Sequence, residues 1–248
     1  MGIIVSLISF ALCVFFYVRM IRREVPTPLT TGRAVIPVVV GLAAPSLSTF
    51  LMVGFGLLFN ALGTPPHALS PSLLYKSLIT AFFTAGFTEE FIKLLLLLLL
   101  VRFLKPKNVY EYILFCAGLG VGFTLLEELM YGGGNPVVAL ARLPAFGLHV
   151  VFGVLMGSYW GLAAYNKRQG LGKVGLYRFL GLCLPVLWHT VFDAATSNNV
   201  FIDAESDDTK MVGFIFGVAV VILSVALQFV VLSRLKKQSA EYSAMPLA

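Results

Sequence analysis

Thr84-Ala85-Gly86-Phe87-Thr88-Glu89-Glu90-Phe91-Ile92-Lys93 runs directly into seven leucines, Leu94 to Leu100, and then into Val101-Arg102. Two adjacent carboxylates and an amine therefore stand inside an apolar stretch long enough to cross a bilayer, which takes roughly 20 residues of helix. An acid or base at the centre of a membrane helix costs roughly 2.5–3.5 kcal/mol, so ionisable groups kept there are functional or paired. The leucines predict a lipid-facing or packing surface. The triplet in front of them predicts one wall of a polar site.

The rest of the composition agrees with a membrane setting. The chain has 248 residues, of which 58% are hydrophobic and 12% charged, with a mean hydropathy of +0.91. This excludes an ordinary soluble domain and predicts an all-α, polytopic membrane protein: one integral membrane domain over residues 1–248. The formal charge of +6 comes from small groups of Lys and Arg between apolar runs, a topology signal rather than a nucleic-acid surface. Cys13, Cys116 and Cys183 lie apart in apolar segments, with no metal-ligand spacing.

Apolar segments at about Ile3–Val18, Val35–Leu62, Leu73–Val101, Val109–Tyr131, Val138–Tyr165, Leu176–Ala195 and Met211–Leu232 predict about seven spanning helices. Pro37, Pro45, Pro144 and Pro185 fall within them and predict kinks. Arg19, Arg22, Arg23 and Arg33 follow the first segment. Arg102, Lys105 and Lys107 follow the third; Lys167, Arg168, Lys173 and Arg178 the fifth; Arg234, Lys236 and Lys237 the seventh. The alternate connections contain almost no basic residues. By the positive-inside rule the N-terminus lies outside and the C-terminus in the cytoplasm.

Three further segments carry acids or imidazoles at membrane depth. The fourth ends in Phe123-Thr124-Leu125-Leu126-Glu127-Glu128, the fifth contains His149, and the sixth contains His189-Thr190-Val191-Phe192-Asp193. Within a helix, Glu89 and Glu90 each share a face with Lys93, and His189 shares one with Asp193. Counting residues from the predicted ends puts Glu89 and His189 near the midplane, His149 about eleven residues in from the outside, and Glu127 toward the outer end. Carboxylates and imidazoles around water in a low-dielectric cleft are suited to activating that water as a nucleophile and to stabilising an oxyanion. No Ser or Cys stands beside them as a covalent nucleophile.

The sequence here resembles the PrsW-type intramembrane proteases, a family distantly related to the CAAX prenyl endopeptidases. Glu89-Glu90-Phe91-Ile92-Lys93 matches the family's E-E-x-x-K motif and Phe123 to Glu127 its F-x-x-x-E. His149 stands where these proteins have an isolated membrane histidine, and His189 to Asp193 matches their H-x-x-x-D. The four elements come in family order over residues 89–193. The resemblance implies a glutamic-type endopeptidase of the bacterial cytoplasmic membrane. It implies membrane-anchored, anti-sigma-factor-like protein substrates, cut on the extracytoplasmic side. Glu128 departs from the pattern, since Asn is frequent there in the family, and leaves open which of Glu127 and Glu128 faces the site.

The expected site is therefore Glu89, Glu90, Glu127, His149, His189 and Asp193, with Lys93 as support. Glu89 is the general base, assisted by Glu127; the histidines orient water or the oxyanion, and Asp193 orients His189. The spacing alone does not separate Glu89 from Glu90 as base. No cofactor is expected, and the partners are the bilayer and a membrane-anchored protein. In one alternative His149, His189 and a carboxylate hold zinc, although there is no H-E-x-x-H. In another the same acids form a proton relay in a transporter or binding protein, although no inverted repeat is visible. The plainest readings are a buried ion pair for Glu89, Glu90 and Lys93, and helix-to-helix or local hydrogen bonds for His149 and His189. Arg142 is read as an interfacial anchor, and Gly132-Gly133-Gly134 either as glycines that let the outer loop move over the cleft or, equally well, as a plain flexible connection.

Overall fold

A computed structural model describes residues 2–63, 65–132 and 146–247. Among these residues the chain is all helical. In order they form α1 (Gly2–Ile21), α2 (Thr31–Gly41), α3 (Ala44–Ala61), α4 (Leu73–Ala81), α5 (Phe87–Leu104), α6 (Val109–Gly132), α7 (Leu148–Arg168), α8 (Val174–Ala195) and α9 (Asp207–Ser243). The expectations for Arg142, Pro144, Gly133 and Gly134 lie outside the described residues.

Among the described residues six spans are long and apolar enough to cross a membrane: α1, the α2–α3 pair, α6, α7, α8 and α9. The seventh is the rod from α4 through a π turn (Phe82–Gly86) into α5, which carries the ionisable triplet. Local chemistry places several breaks. The second span is interrupted at Leu42 and Ala43, with Pro45 in the first turn of α3, where a missing N–H costs nothing. Rod α4–α5 stops at Leu104, where Lys105 takes a left-handed backbone with φ 47° and Pro106 cannot continue the ladder.

Two segment ends differ from expectation. The last helix runs on to Ser243, because the Lys236, Lys237 and Gln238 region that closes the apolar run still has good helix formers. The described α7 begins only at Leu148, after a turn at Phe146 and Gly147, so His149 stands in its first turn rather than three turns in. Its depth is nonetheless central: Phe146 accepts a bond from Cys13 midway along α1, and Gly147 donates to Gln228 in the middle of α9.

Helix α6 is the hub, 72% buried over its spanning window. It packs on α7 through glycines. Gly120 faces the His149 carbonyl, Gly153 the Cys116 carbonyl and Gly157 the Ile113 backbone. Gly153, Gly157 and Gly161 recur every fourth residue, the small-residue stripe that lets membrane helices approach closely. The leucine run divides by helical phase: Leu94, Leu97 and Leu100 are buried while Leu95, Leu98 and Leu99 are exposed.

The four basic connections gather at one end. Tyr110 Oη bonds the Met20 carbonyl, Leu247 N bonds Lys107 O, and Arg168 bonds Leu247 O. Arg33 pairs with the buried Glu111 at 2.8 Å. At the other end, Val200 N bonds Ser77 Oγ and Asn199 bonds Gly213 O, joining the α8–α9 connection to α4.

Two predictions follow from this packing. Replacing Gly120 by Leu forces a side chain onto the His149 carbonyl and should cost ~1–3 kcal/mol, read as a lower thermal unfolding midpoint in detergent. At the basic end, burial pushes the Glu24 carboxyl above its usual range, an effect opposed by its 3.2 Å bond from Asn108. The folded state therefore holds this proton more tightly than the unfolded one. The corresponding stability is present at acid pH and is lost as pH rises from the ordinary carboxylate value through the higher folded one. Unfolding followed across that window should show a flatter profile for Glu24→Gln.

Candidate active site

The sequence-predicted residues come together from four helices, α5 to α8. The approach of α5 to α8 is made at the π turn. Its wider backbone adds a residue to the usual i→i−4 ladder, and Gly86 at its end lies against Thr190 and the Val186 carbonyl. A side chain at Gly86 would hold apart the helices that carry Glu90 and His189.

Glu90 is fully buried and is the centre of the cluster. Its Oε1 accepts from Lys93 Nζ at 2.8 Å and from His189 Nδ1 at 2.8 Å. Lys93 is itself 2% exposed and makes two contacts that the spacing did not suggest. Its Nζ lies 2.9 Å from His149 Nδ1 and 3.9 Å from the centre of the Phe123 ring, over its face. An ammonium with a carboxylate, an imidazole nitrogen and an aromatic face around it is satisfied without water.

These bonds assign the histidine protons. An ammonium donating to His149 Nδ1 leaves that ring's proton on Nε2, which meets Glu127 Oε2 at 2.6 Å. In a neutral His189 that donates Nδ1–H to Glu90, the lone pair is on Nε2, which lies 3.7 Å from Glu89 Oε2. Glu89 is held more loosely than Glu90. Its side chain retains 14% exposure and stands 3.8 Å from Lys93, and among the described residues its Oε2, like that of Glu90, has no hydrogen-bond donor.

Thr124, Glu127, Glu128, His149, His189 and Asp193 line a cleft with a volume of about 20 Å³. One water needs roughly 10–15 Å³ measured in this way. Phe123 and Phe152 supply the apolar backing; His189 stacks on Phe152 with ring centres 5.2 Å apart, and His149 lies 4.5 Å from Phe123.

Glu127 and Glu128 both line the cleft but differ at His149. Glu127 rather than Glu128 bonds His149, while the Glu128 carbonyl accepts from Ser6 of α1. His189 also has a partner that the spacing did not suggest. Nδ1 of His189 is held by Glu90 across the α5–α8 contact, and Asp193, one turn on, lines the cleft. Sequence reasoning missed the roles of Phe123, Phe152 and Gly86. Phe123 was within reach, because F-x-x-x-E spacing puts Phe123 and Glu127 on one helix face.

Helices α5 to α8 thus bring acids, two imidazoles and a water-sized cleft together inside a polytopic helical protein. Residues 35–227, more than half of the chain, match the family described as PrsW family intramembrane metalloprotease, and the chain belongs to that family. Among its relatives, Protease PrsW of Halalkalibacterium halodurans is 31% identical over 150 residues, covering 59% of this chain and 67% of that protein. Protease PrsW of Geobacillus kaustophilus is 32% identical over 120 residues, covering 46% and 50%. Protease PrsW of Bacillus subtilis is 29% identical over 131 residues, covering 50% and 59%. The chain thus spans from half to two thirds of the length of these curated relatives. No solved structure matches it.

The two adjacent glutamates should separate in experiment. Glu90→Gln leaves Lys93 buried beside a neutral amide and, as the breaking of a buried pair, should destabilise by ~3–5 kcal/mol. Glu89→Gln should leave the unfolding midpoint within about a degree or two, since it removes no hydrogen bond. Melting curves of the two variants in one detergent make the comparison.

Proposed function

We propose that this chain is an intramembrane endopeptidase that hydrolyses a peptide bond of a membrane-anchored protein with a water activated by Glu89. One observation carries the reading. Glu89 Oε2, without a donor among the described residues, stands 3.7 Å from His189 Nε2, and His189 lines the cleft with room for water; in the neutral ring that nitrogen carries the lone pair. Two acceptors at that separation can share one water. Glu89 takes a proton from it as the oxygen forms its bond to the substrate carbonyl carbon. The resulting oxyanion accepts a hydrogen bond from His149 Nε2–H, whose tautomer Lys93 sets. Glu89 then passes the proton to the amide nitrogen, the C–N bond breaks, and a carboxylic acid and an amine leave. Glu127 holds His149 until substrate arrives, Glu90 positions His189, and Asp193 contributes negative charge to the cleft wall.

The family description includes a metal, and the side chains can be tested against one. Atoms of Glu89, His149 and His189 able to bind a metal all lie within 4.8 Å of one another, a two-histidine, one-carboxylate set of the kind that catalytic zinc uses. Glu89 and His189 fit as they stand, His189 with the carboxylate-backed ring typical of a zinc ligand. His149 fits once Nε2 gives up its proton. These three residues would hold the ion, which supplies Lewis acidity and lowers the pKa of its water. Glu90, Lys93 and Phe123 keep the same positioning roles in either case.

The protein's setting in this reading is a bacterial cytoplasmic membrane, with the Lys/Arg-rich end in the cytoplasm, the N-terminus outside and the C-terminus inside. Substrates are membrane-anchored proteins of the anti-sigma-factor kind, met from the outer side of the cleft; nucleic acid has no part. A proton relay would use the same acids, but family membership favours hydrolysis.

Purified protein incubated with candidate membrane-anchored substrates tests the proposal. Glu89→Gln and His189→Ala should each lower cleavage by roughly 10²–10⁴-fold, the range of a lost acid–base group. Cleavage that persists in a Glu89→Ala, Glu90→Ala double variant sinks the assignment. Loss of activity to a chelator and its return with added zinc would select the metal-bound form. Proton flux in liposomes without any proteolysis would select the relay.

A further inference from the structure

A second cavity of about 460 Å³ lies away from the catalytic cluster, between α1, the start of α7 and α9. Its walls are apolar, with Phe16, Phe229 and Leu232 among them, and Phe229 is 69% exposed, so it opens sideways to the hydrocarbon. One end is basic: Arg19, Arg23 and Lys236 line it together. Among the described residues none of the three pairs with a carboxylate. Arg19 rests only over the Phe15 ring, 5.5 Å from its centre.

The dimensions match one bilayer leaflet. From Lys236 down to Val225, which lines the deep end, eleven residues of α9 rise about 16 Å. Half of a hydrocarbon core of about 30 Å is about 15 Å. Three unpartnered cations therefore stand at headgroup height above an apolar slot one acyl chain deep. Basic pockets between membrane helices on the cytoplasmic side are the usual seat of anionic headgroups, and this end carries the Lys/Arg excess.

We infer that this groove binds an anionic phospholipid, its phosphate held by Arg19, Arg23 and Lys236 and an acyl chain lying between α1 and α9. The chain's tip reaches Phe146, which also lines the catalytic cleft. Phe146 is anchored to α1 by Cys13 and immediately precedes the helix that carries His149. The lipid so placed props the start of α7 from the side opposite the cleft.

Native mass spectrometry and thermal unfolding of the purified full-length protein in detergent test this independently of proteolysis. Phosphatidylglycerol should remain bound and raise the unfolding midpoint. Phosphatidylcholine with the same chains, and inorganic phosphate alone, should do neither. Arg19 and Lys236 are exposed and Arg23 half-buried, so the triple variant R19Q/R23Q/K236Q should fold. At about tenfold or less per lost charge it should bind phosphatidylglycerol on the order of a hundredfold more weakly. Ser233→Trp, which fills the slot and keeps the charges, should also lose the lipid. The inference is overturned by equal binding of the two lipids, by undiminished binding in the triple variant, or by stabilisation from phosphate alone. Displacement of the lipid by an apolar transmembrane peptide, one for one, would reassign the groove to substrate.

Discussion

Glu90 can lie fully buried in a membrane-depth helix only because two donors share one of its oxygens. Lys93, one turn along α5, neutralises it locally; His189, from α8, ties that pair to another helix. Any arrangement that loosened either contact would strand an ion in hydrocarbon, so the relative placement of α5 and α8 is tightly restricted. The π turn and Gly86 make that placement sterically possible. Lys93 extends the network to His149 and, through it, to Glu127 on α6. A single chain of charge-assisted bonds thus runs through all four helices of the site.

The network also divides labour between neighbouring carboxylates. Oε1 of Glu90 is committed to Lys93 and His189 at 2.8 Å, and its neighbour Glu89 stands off at 3.8 and 3.7 Å from the same two groups and keeps some exposure. Adjacent residues on a helix point about 100° apart, so one can face the protein while the next faces a cleft. The adjacent pair in E-E-x-x-K has a physical reading on these grounds: one glutamate positions the histidine and the lysine, and the other is left to meet water. Aromatic rings back both histidines and keep the cleft small, which concentrates the electrostatic effect of each group.

Much of this was legible from the chain. Apolar runs punctuated by basic groups specify membrane helices and their alternation, because hydrocarbon thickness sets helix length and Lys/Arg resist translocation. The ionisable residues were conspicuous at membrane depth, and i,i+3 and i,i+4 spacing placed Lys93 with both glutamates. What was not legible depends on neighbours distant in sequence. The late start of α7 follows a turn at Phe146 and Gly147, just after Pro144, where the sequence reads as a kink inside one helix, and the break at Leu42–Ala43 sits shortly before Pro45, read in the same way. The H-x-x-x-D spacing pointed to Asp193 as the partner of His189 and gave no sign of the bond from His189 Nδ1 to Glu90 on another helix.

Sequence by itself determined that this chain is a bundle of membrane helices, which residues are ionisable within it, and which of them share a helix face. Those properties depend on local periodicity and on the cost of burying charge, both readable residue by residue. Tertiary structure decided that Glu90 bonds Nδ1 of His189, that Lys93 reaches His149, and that Glu127 meets that ring. These depend on how far helices are rotated and how closely they cross. Glycine contacts such as Gly86 with Thr190 and Gly120 with His149 set those distances, and a contact between helices has no periodicity in either strand of sequence that makes it.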